Sequence, residues 1–326
     1  MPGGRARRGL RLADPLLLVG SLVAVLAGAE LAARWLLDSP HDFAPSLVSR
    51  RWFERYWPPL NRFGIRDREW DEEALAGTHK LFLVGDSLAA GHGIRRVEER
   101  CAARLERRLG PGWSALTVAN PGWDTSDELS MLRRMPLRPD VVVLLYFVND
   151  VLGVASQHGH RLDLGAELRI TPAWLEPLLS RSYLANFLYW RSWRRLHGQK
   201  LAAAYQDALE KGFSLPSVWQ AHVKDLREMV AYARAQGAAF IAVVTPDLYD
   251  IGGSRRHTDR VARLFEAEGV PVVDLAERFE GRDPDDLVLS SEDHHPNVRT
   301  HAEIAGLIYD AMQSAGIAAV DPTARS

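Results

Sequence analysis

Short apolar runs alternate with longer amphipathic stretches over most of the chain. Five runs have the length and apolar character of buried strands, at residues 81–85, 115–119, 141–147, 238–245 and 270–274. Helical periodicity marks the segments between and after them, at residues 98–109, 125–134, 217–236, 259–268 and 300–314. This alternation predicts an α/β protein with a parallel sheet that is covered by helices on both faces.

The N-terminus has a different pattern. Four arginines, at positions 5, 7, 8 and 11, precede an apolar stretch over residues 15–37. At about 1.5 Å per residue this stretch is long enough to span the hydrocarbon core of a bilayer as a helix. Glu30 and Arg34 interrupt it near its far end, four residues apart and so on one helical face. The basic flank predicts a cytoplasmic N-terminus and an exported C-terminal part.

A cleaved signal peptide is the alternative to a membrane anchor. Ala27-Gly28-Ala29 has the small residues of a cleavage site. Apolar residues continue past this site, which favours an uncleaved anchor. The chain is accordingly divided into a basic N-terminus (1–14), an anchor (15–37), a linker and lead-in (38–78), a catalytic domain (79–315) and a tail (316–326). Residues 153–213 are an insertion in the catalytic domain.

Composition and charge exclude few classes of function. The chain has 326 residues, of which 47% are hydrophobic, enough for one substantial core after the N-terminal segment. A net charge of −2 predicts no nucleic-acid partner. The single cysteine, Cys101, rules out an intramolecular disulfide.

The first candidate catalytic residue lies directly after the first apolar run, in the segment Gly85-Asp86-Ser87-Leu88. A serine between a strand and a helix lies at the carboxyl edge of the sheet, where ligands bind in open α/β folds. The first N–H groups of the helix have no intrahelical partner and can face a developing oxyanion. These features make Ser87 a candidate nucleophile.

Three further blocks follow in the chain. Asn120-Pro121-Gly122 comes after the second predicted strand and Asn149-Asp150 after the third, while Ser291-Glu292-Asp293-His294-His295-Pro296-Asn297 lies near the C-terminus. In this order the four blocks resemble the SGNH (GDSL) hydrolase superfamily over about residues 61–312. The resemblance implies a flavodoxin-like three-layer α/β/α sandwich with a five-stranded parallel sheet, and a serine mechanism without cofactor or metal.

The resemblance also implies roles. Ser87 would be the nucleophile and His295, in the His-Pro-Asn block, the general base; His294 is the competitor for that role and lacks the following proline. The Ser87 and Gly122 backbone N–H groups and the Asn149 side chain would form the oxyanion hole.

Two residues are candidates for the acid of the triad. The family usually has an aspartate three residues before the histidine, but Glu292 occupies that position here and Asp293 lies two residues before His295. Either carboxylate could hold the imidazole tautomer. Two other departures, Phe147 at a frequent glycine position and Thr117 at a frequent asparagine position, affect the pocket more than the mechanism.

Weaker motifs have more ordinary explanations. His158 and His160 with Asp163 could be metal ligands, but their spacing is not diagnostic and a solvated loop is expected. Residues 187–195 mix aromatic residues with arginines. They could lie on a membrane surface, roof the active site, or form an amphipathic helix packed on the domain, which is the expected arrangement.

Together these patterns predict a serine esterase or deacylase, anchored by one helix in the bacterial inner membrane, with its catalytic domain in the periplasm. Its substrate would be an acyl ester, on a glycan or a lipid. The first alternative is an O-acyltransferase that passes the same acyl group to a cell-surface polysaccharide. The second is an inactive glycan-binding or assembly module.

Overall fold

The computed structural model describes residues 13–40, 46–160, 162 and 171–317. Most of the basic N-terminus, most of the tail and Asp163 of the candidate metal motif lie outside the described residues.

A five-stranded parallel sheet forms the centre of the α/β domain, as the sequence predicts. Its strands are β1 (His79–Gly85), β2 (Trp113–Ala119), β3 (Val141–Phe147), β4 (Ala239–Thr245) and β5 (Val272–Asp274). They are arranged in the order β2-β1-β3-β4-β5. Gly85, the last residue of β1, is in register with Ala119 of β2 and Leu145 of β3. The three loops that carry the predicted serine, glycine and asparagine therefore leave the same edge of the sheet from adjacent strands.

Alternating side chains of each strand are buried on opposite faces of the sheet, as the twofold repeat of a strand requires. Phe82 and Val84 of β1 contribute to one core and Leu81 and Leu83 to the other. The helices of the domain cover the two faces, which gives the three-layer arrangement.

The helices begin and end at the following residues: α1 (Ala13–Leu36), α2 (Leu47–Tyr56), α3 (Glu72–Leu75), α4 (Ser87–Ala90), α5 (Cys101–Leu109), α6 (Thr125–Arg134), α7 (Asp150–Gln157), α8 (Glu176–Leu179), α9 (Tyr183–Ser214), α10 (Pro216–Gln236), α11 (Ile251–Ala267), α12 (Leu275–Arg278) and α13 (Val298–Ser314). A short antiparallel hairpin of β6 (Val288–Ser290) and β7 (Asp293–Pro296) precedes α13.

Several boundaries differ from the prediction. Helix α11 begins at Ile251, eight residues before the predicted start at position 259. Its first turn contains two glycines, which have low helix propensity, but the side chain of Asp250 caps it by accepting a hydrogen bond from the Gly253 N–H. The predicted helix over 98–109 is divided into a 3₁₀ turn, Val97–Glu99, and α5. Strand β5 begins two residues later than expected, at Val272, and pairs with β4 over three residues.

Helix α1 contains an apolar span, Pro15–Leu36, with a mean hydropathy of 2.2 and only 6% of its most apolar window buried. By length and composition it can cross a membrane, and a signal sequence has the same properties. This helix contacts the domain through Glu30 and Arg34, both of which bond residues at the start of α9.

The lead-in between the anchor and the sheet is docked on the domain. Arg66 is completely buried and donates hydrogen bonds to the carbonyl oxygens of Tyr56, Gly91 and Ile94. The neighbouring carboxylate of Asp67 accepts from the Thr117 N–H in β2 at 2.8 Å. A buried arginine needs such acceptors for its five N–H groups, so these bonds join the lead-in to the loop that follows Ser87.

Candidate active site

The proposed nucleophile lies in a tight turn between β1 and α4. A Cβ at position 85 would lie 2.9 Å from the carbonyl oxygen of Leu145, so only glycine allows β1 and β3 to approach this closely before the turn. Asp86 then caps α4 by accepting from the Leu88 N–H at 2.9 Å. Ser87 is the first residue of α4 and is 9% exposed. The turn therefore holds the serine rigidly at the carboxyl edge of the sheet.

The candidate base and acid both lie on strand β7. Residues two apart in a strand are on the same face, which places Asp293 and His295 side by side. The Asp293 Oδ1 is 2.5 Å from the His295 Nδ1 and also accepts from the His295 backbone N–H at 3.1 Å. Two hydrogen bonds to one oxygen fix the orientation of the carboxylate relative to the imidazole.

The other imidazole nitrogen faces the serine. The His295 Nε2 is 2.8 Å from the Ser87 Oγ, although the two residues are 208 positions apart in the chain. A proton on Nδ1, held by Asp293, leaves Nε2 free to accept the hydroxyl proton. The arrangement is therefore a serine–histidine–aspartate chain with the direction of proton transfer that nucleophilic attack needs.

The two competing residues of this block point elsewhere. Glu292 precedes β7, and its Oε2 lies 3.4 Å from the Nε of Arg194 on α9. His294 is on the opposite face of the strand, with its Nδ1 2.8 Å from the Asp247 Oδ1. Burial is the largest single effect and lowers the pKa of His294, but the hydrogen bond and charge of Asp247, a backbone bond at Ser291 and the charge of Asp293 together raise the pKa above its ordinary value. Of the two carboxylates that the sequence leaves open, the structure brings Asp293 to His295.

The predicted oxyanion donors lie at the same edge of the sheet. Asn149 follows β3, and its side chain is hydrogen-bonded to Asp86, the residue before the serine. Gly122 follows β2 in an exposed turn with a φ of 80°, a backbone conformation that favours glycine. Asn149 is thus in contact with the turn that carries Ser87, and Gly122 lies in the loop after the neighbouring strand.

A residue that the sequence analysis did not single out, His92, is also part of this site. Its Nε2 lies 3.3 Å from the Asp293 Oδ2, the carboxylate oxygen that His295 does not use. The two imidazole rings are 4.2 Å apart, and Phe53 of the lead-in lies 5.6 Å from the His92 ring. Burial and the neighbouring His295 lower the pKa of His92, while Asp293 opposes that change. Nothing in Gly91-His92-Gly93 indicates these contacts, because they depend on how the hairpin packs.

Comparison with known proteins identifies the family. A family model, the GDSL-like Lipase/Acylhydrolase family, matches residues 83–303. The chain belongs to this family. The match begins in β1 and ends in α13, so it includes the turn with Ser87 and the hairpin with His295.

Three solved structures illustrate the similarity of chain course. TesA is 17% identical, over 72% of this chain and 99% of that chain, with a TM-score of 0.43. An aryl esterase from M. smegmatis is 13% identical, over 73% of this chain and 99% of that chain, with a TM-score of 0.41. A carbohydrate acetylesterase family member from Sinorhizobium meliloti is 13% identical, over 73% and 98% of the two chains, with a TM-score of 0.41. Comparison by sequence with individual curated proteins gives no match.

This GDSL-like protein has a group of buried carboxyl groups near Asp86, the residue before Ser87. Glu128 of α6 and Asp150 of α7 are 0% and 1% exposed, and within the part of the chain that the structure describes neither carboxyl oxygen of Glu128 has a hydrogen-bond partner. Burial, together with the nearby Asp86 and Asp124, raises the pKa of Glu128 well above its ordinary value. Burial and Glu128 do the same for Asp150. Both groups are therefore stable in the protonated, neutral form.

The potential metal ligands of the described residues include the candidate base and acid. Ligand atoms of His92, Asp293 and His295 lie within 4.8 Å of one another. A metal ion there would compete with the hydrogen bonds that orient His295 toward Ser87. The weaker candidates from the sequence have other partners: His158 bonds the carbonyl of Val154, and His160 lies 3.4 Å from the Ser217 Oγ.

Proposed function

We propose that this protein is a serine ester hydrolase that acts through an acyl-enzyme on Ser87. The observation that carries the proposal is the continuous hydrogen-bonded chain from the Ser87 Oγ through His295 to Asp293. Membership of a lipase/acylhydrolase family supports the same reaction class.

In the proposed mechanism, His295 removes the hydroxyl proton as the Ser87 Oγ attacks the ester carbonyl carbon. The C–O bond to the alcohol then breaks, and the imidazolium donates its proton to the leaving oxygen. Water attacks the acyl-enzyme with His295 again as the base, which releases the carboxylic acid and restores the serine. Asp293 is the proposed acid of the triad, since it holds the proton on Nδ1 and stabilises the imidazolium.

The proposed oxyanion hole consists of the Ser87 N–H, the Gly122 N–H and the Asn149 amide. The contact between Asn149 and Asp86 supports this role, because it orients the amide beside the serine before substrate arrives. His92 is a proposed positioning residue. A second imidazole on Asp293 limits rotation of the carboxylate and thereby of His295.

For its location, we propose that α1 is an uncleaved anchor in the bacterial inner membrane and that the catalytic domain is periplasmic. The basic residues before α1 and the apolar span that continues past Ala29 support this orientation.

The decisive experiment uses the full chain in detergent and measures acetate release from an activated acetyl ester. Ser87→Ala is expected to abolish release, while Ser314→Ala, at an exposed serine in the last turn of α13, serves as the matched control and is expected to retain it. Release that survives Ser87→Ala would refute the mechanism.

The same assay, run with and without a glycan acceptor, compares water with a sugar hydroxyl as the acceptor of the acyl group. Acyl transfer to the glycan in place of acetate release would identify an acyltransferase. Glycan binding without any serine-dependent turnover would identify a non-catalytic module.

A further inference from the structure

Helix α1 is bound to the start of the insertion helix α9 by an ionic cap. The carboxylate of Glu30 accepts hydrogen bonds from the Ser182 Oγ at 2.7 Å and from the N–H groups of Tyr183 and Leu184, each at 3.0 Å. Arg34 donates to the Arg181 carbonyl oxygen at 2.6 Å. A carboxylate on the free N–H groups of a helix is favourable for both charge and hydrogen bonding. The start of α9 is therefore held at the level of Glu30.

If α1 spans a bilayer, the depth of Glu30 lies inside the bilayer or at its edge. Glu30 comes 15 residues after Pro15, which is about 22 Å along a helix, and the hydrocarbon core is about 30 Å thick. With the basic flank on the cytoplasmic side, Glu30 and the residues that it caps lie near the outer interface. The segment that leads into α9 must then share that depth.

The side chains of this segment fit such a position. Trp174 is 80% exposed and Leu178 is 52% exposed, although both are large and apolar. Leu178 is one turn before the cap, since its carbonyl oxygen accepts from the Ser182 N–H at 2.9 Å. Trp35, near the outer end of α1, is also 80% exposed. Tryptophan is enriched at membrane interfaces because its ring is apolar and its N–H polar.

We propose that residues 172–184, here called the interfacial segment, form a second contact with the lipid bilayer beside α1. Trp174 and Leu178 lie among the lipid headgroups and the upper acyl chains. The anchor and the interfacial segment together set the height of the domain above the membrane.

Two short connections place the proposed active site close to this surface. Along α9, Arg194 is 11 residues after Tyr183, about 16 Å, and it contacts Glu292, the residue next to Asp293. Along the chain, Pro40 is four residues after Leu36, at most about 14 Å, and its carbonyl oxygen is hydrogen-bonded to His92.

This second connection is docked on the domain rather than free. The Asp38 carboxylate contacts Arg95 at 2.6 Å and the Tyr56 hydroxyl at 3.1 Å. Since both connections are short and bonded to the domain, the site lies within a few nanometres of the bilayer surface and cannot move far from it.

The substrate class follows, provided that the protein is an ester hydrolase as proposed. A site held at this height reaches esters carried by membrane lipids, whose ester groups lie in the headgroup layer. A polymer in free solution would gain nothing from the bound interfacial segment.

The first test measures depth with the full chain in vesicles of phosphatidylcholine and phosphatidylglycerol. Leu178→Cys carries an environment-sensitive fluorophore, and spin-labelled lipid is the quencher. Ala76→Cys is the control, since Ala76 is exposed just before β1, at the opposite edge of the sheet from the serine. The wild type controls for labelling, because its cysteine, Cys101, is buried. Strong quenching at position 178 with little at 76 is expected. Equal quenching at both positions would overturn the proposal.

The second test compares two substrates. The double variant Trp174→Ser with Leu178→Ser is expected to lower hydrolysis of an ester embedded in the same vesicles by at least about tenfold. A tenfold loss is less than the full transfer of one large apolar side chain from lipid to water would cause. Turnover of the soluble acetyl ester should not change. The control is Leu60→Ser, at a leucine with the similar exposure of 51%.

The outcomes separate this inference from the proposed function. If the wild type turns over neither substrate, the proposed hydrolase fails. If it hydrolyses the soluble ester but the double variant matches the wild type on vesicles, the interfacial segment alone is refuted. A wild type that hydrolyses a soluble glycan ester and not the vesicle ester refutes the lipid substrate.

Discussion

Replacing each of the two neighbouring carboxylates, Asp293 and Glu292, by its amide gives a direct test of the proposed triad. Asp293→Asn keeps the shape of the side chain but replaces one carboxylate oxygen with an NH₂ group. The Asp293 Oδ1 accepts from the His295 Nδ1 at 2.5 Å and from its backbone N–H at 3.1 Å. The neutral amide removes the charge that stabilises the imidazolium. When its NH₂ group faces the His295 Nδ1 it donates, so the imidazole carries its proton on Nε2. It then cannot accept the proton of Ser87, 2.8 Å away.

The expected loss is large because the wrong tautomer removes the base and the stabilisation of the imidazolium together. We expect kcat to fall by about 10⁴, equivalent to about 5.5 kcal/mol of transition-state stabilisation, with little change in KM. Glu292→Gln is the matched control. Its side chain is 46% exposed and its partner Arg194 is 22% exposed, and an ion pair of this kind contributes at most about 1 kcal/mol to stability. Its kcat should stay within about twofold of the wild type.

The assay is steady-state acetate release by the full chain, together with a thermal melt to show that both variants are folded. The reasoning is refuted if Asp293→Asn keeps more than about a tenth of the wild-type kcat, since a wrong tautomer cannot do so. It is also refuted if Glu292→Gln loses more activity than Asp293→Asn, because Glu292 would then be the acid.

Three other predictions concern residues around the triad. Asn149→Ala should lower kcat about a hundredfold or more through loss of an oxyanion donor, and a kcat near that of the wild type would remove it from that role. His92→Phe should lower kcat about tenfold, the order of one hydrogen bond to a charged group, and should shift the acid limb of the kcat/KM profile to higher pH. His92→Gln keeps a hydrogen-bond donor and should restore both kcat and the pH profile. Equal behaviour of the two variants would indicate a packing role only. In the folded state Glu128 keeps its proton at pH values above its ordinary pKa of 4.5. The folded state therefore binds more protons than the unfolded state between pH 4.5 and the raised pKa, and the free energy of unfolding falls as pH rises through that window. Glu128→Gln should therefore gain unfolding free energy over the wild type by about 1.4 kcal/mol per pH unit in that window, measured by urea denaturation against Glu266→Gln, an exposed control for which a constant difference is expected.

Local patterns in the sequence determine the elements of this protein. The apolar runs are short and rich in valine and leucine, so the five strands and their parallel arrangement follow from periodicity and from the helices between them. The candidate span of α1 follows from length and hydropathy. Ser87 and Asn149 could be proposed because each directly follows a strand, and strands of a parallel sheet end at a common edge.

The partners of those residues were decided by the tertiary structure. Asp293, and not Glu292, contacts His295 because Asp293 and His295 both lie on β7, a strand of only four residues that sequence periodicity cannot reveal. His92 meets Asp293 across 201 positions of sequence, and Glu30 meets the start of α9 across more than 150. Sequence spacing determines which residues share a strand or a helix face, because those distances are set by the backbone repeat. Contacts between distant segments depend on the packing of the whole chain, so they could not be read from any local pattern.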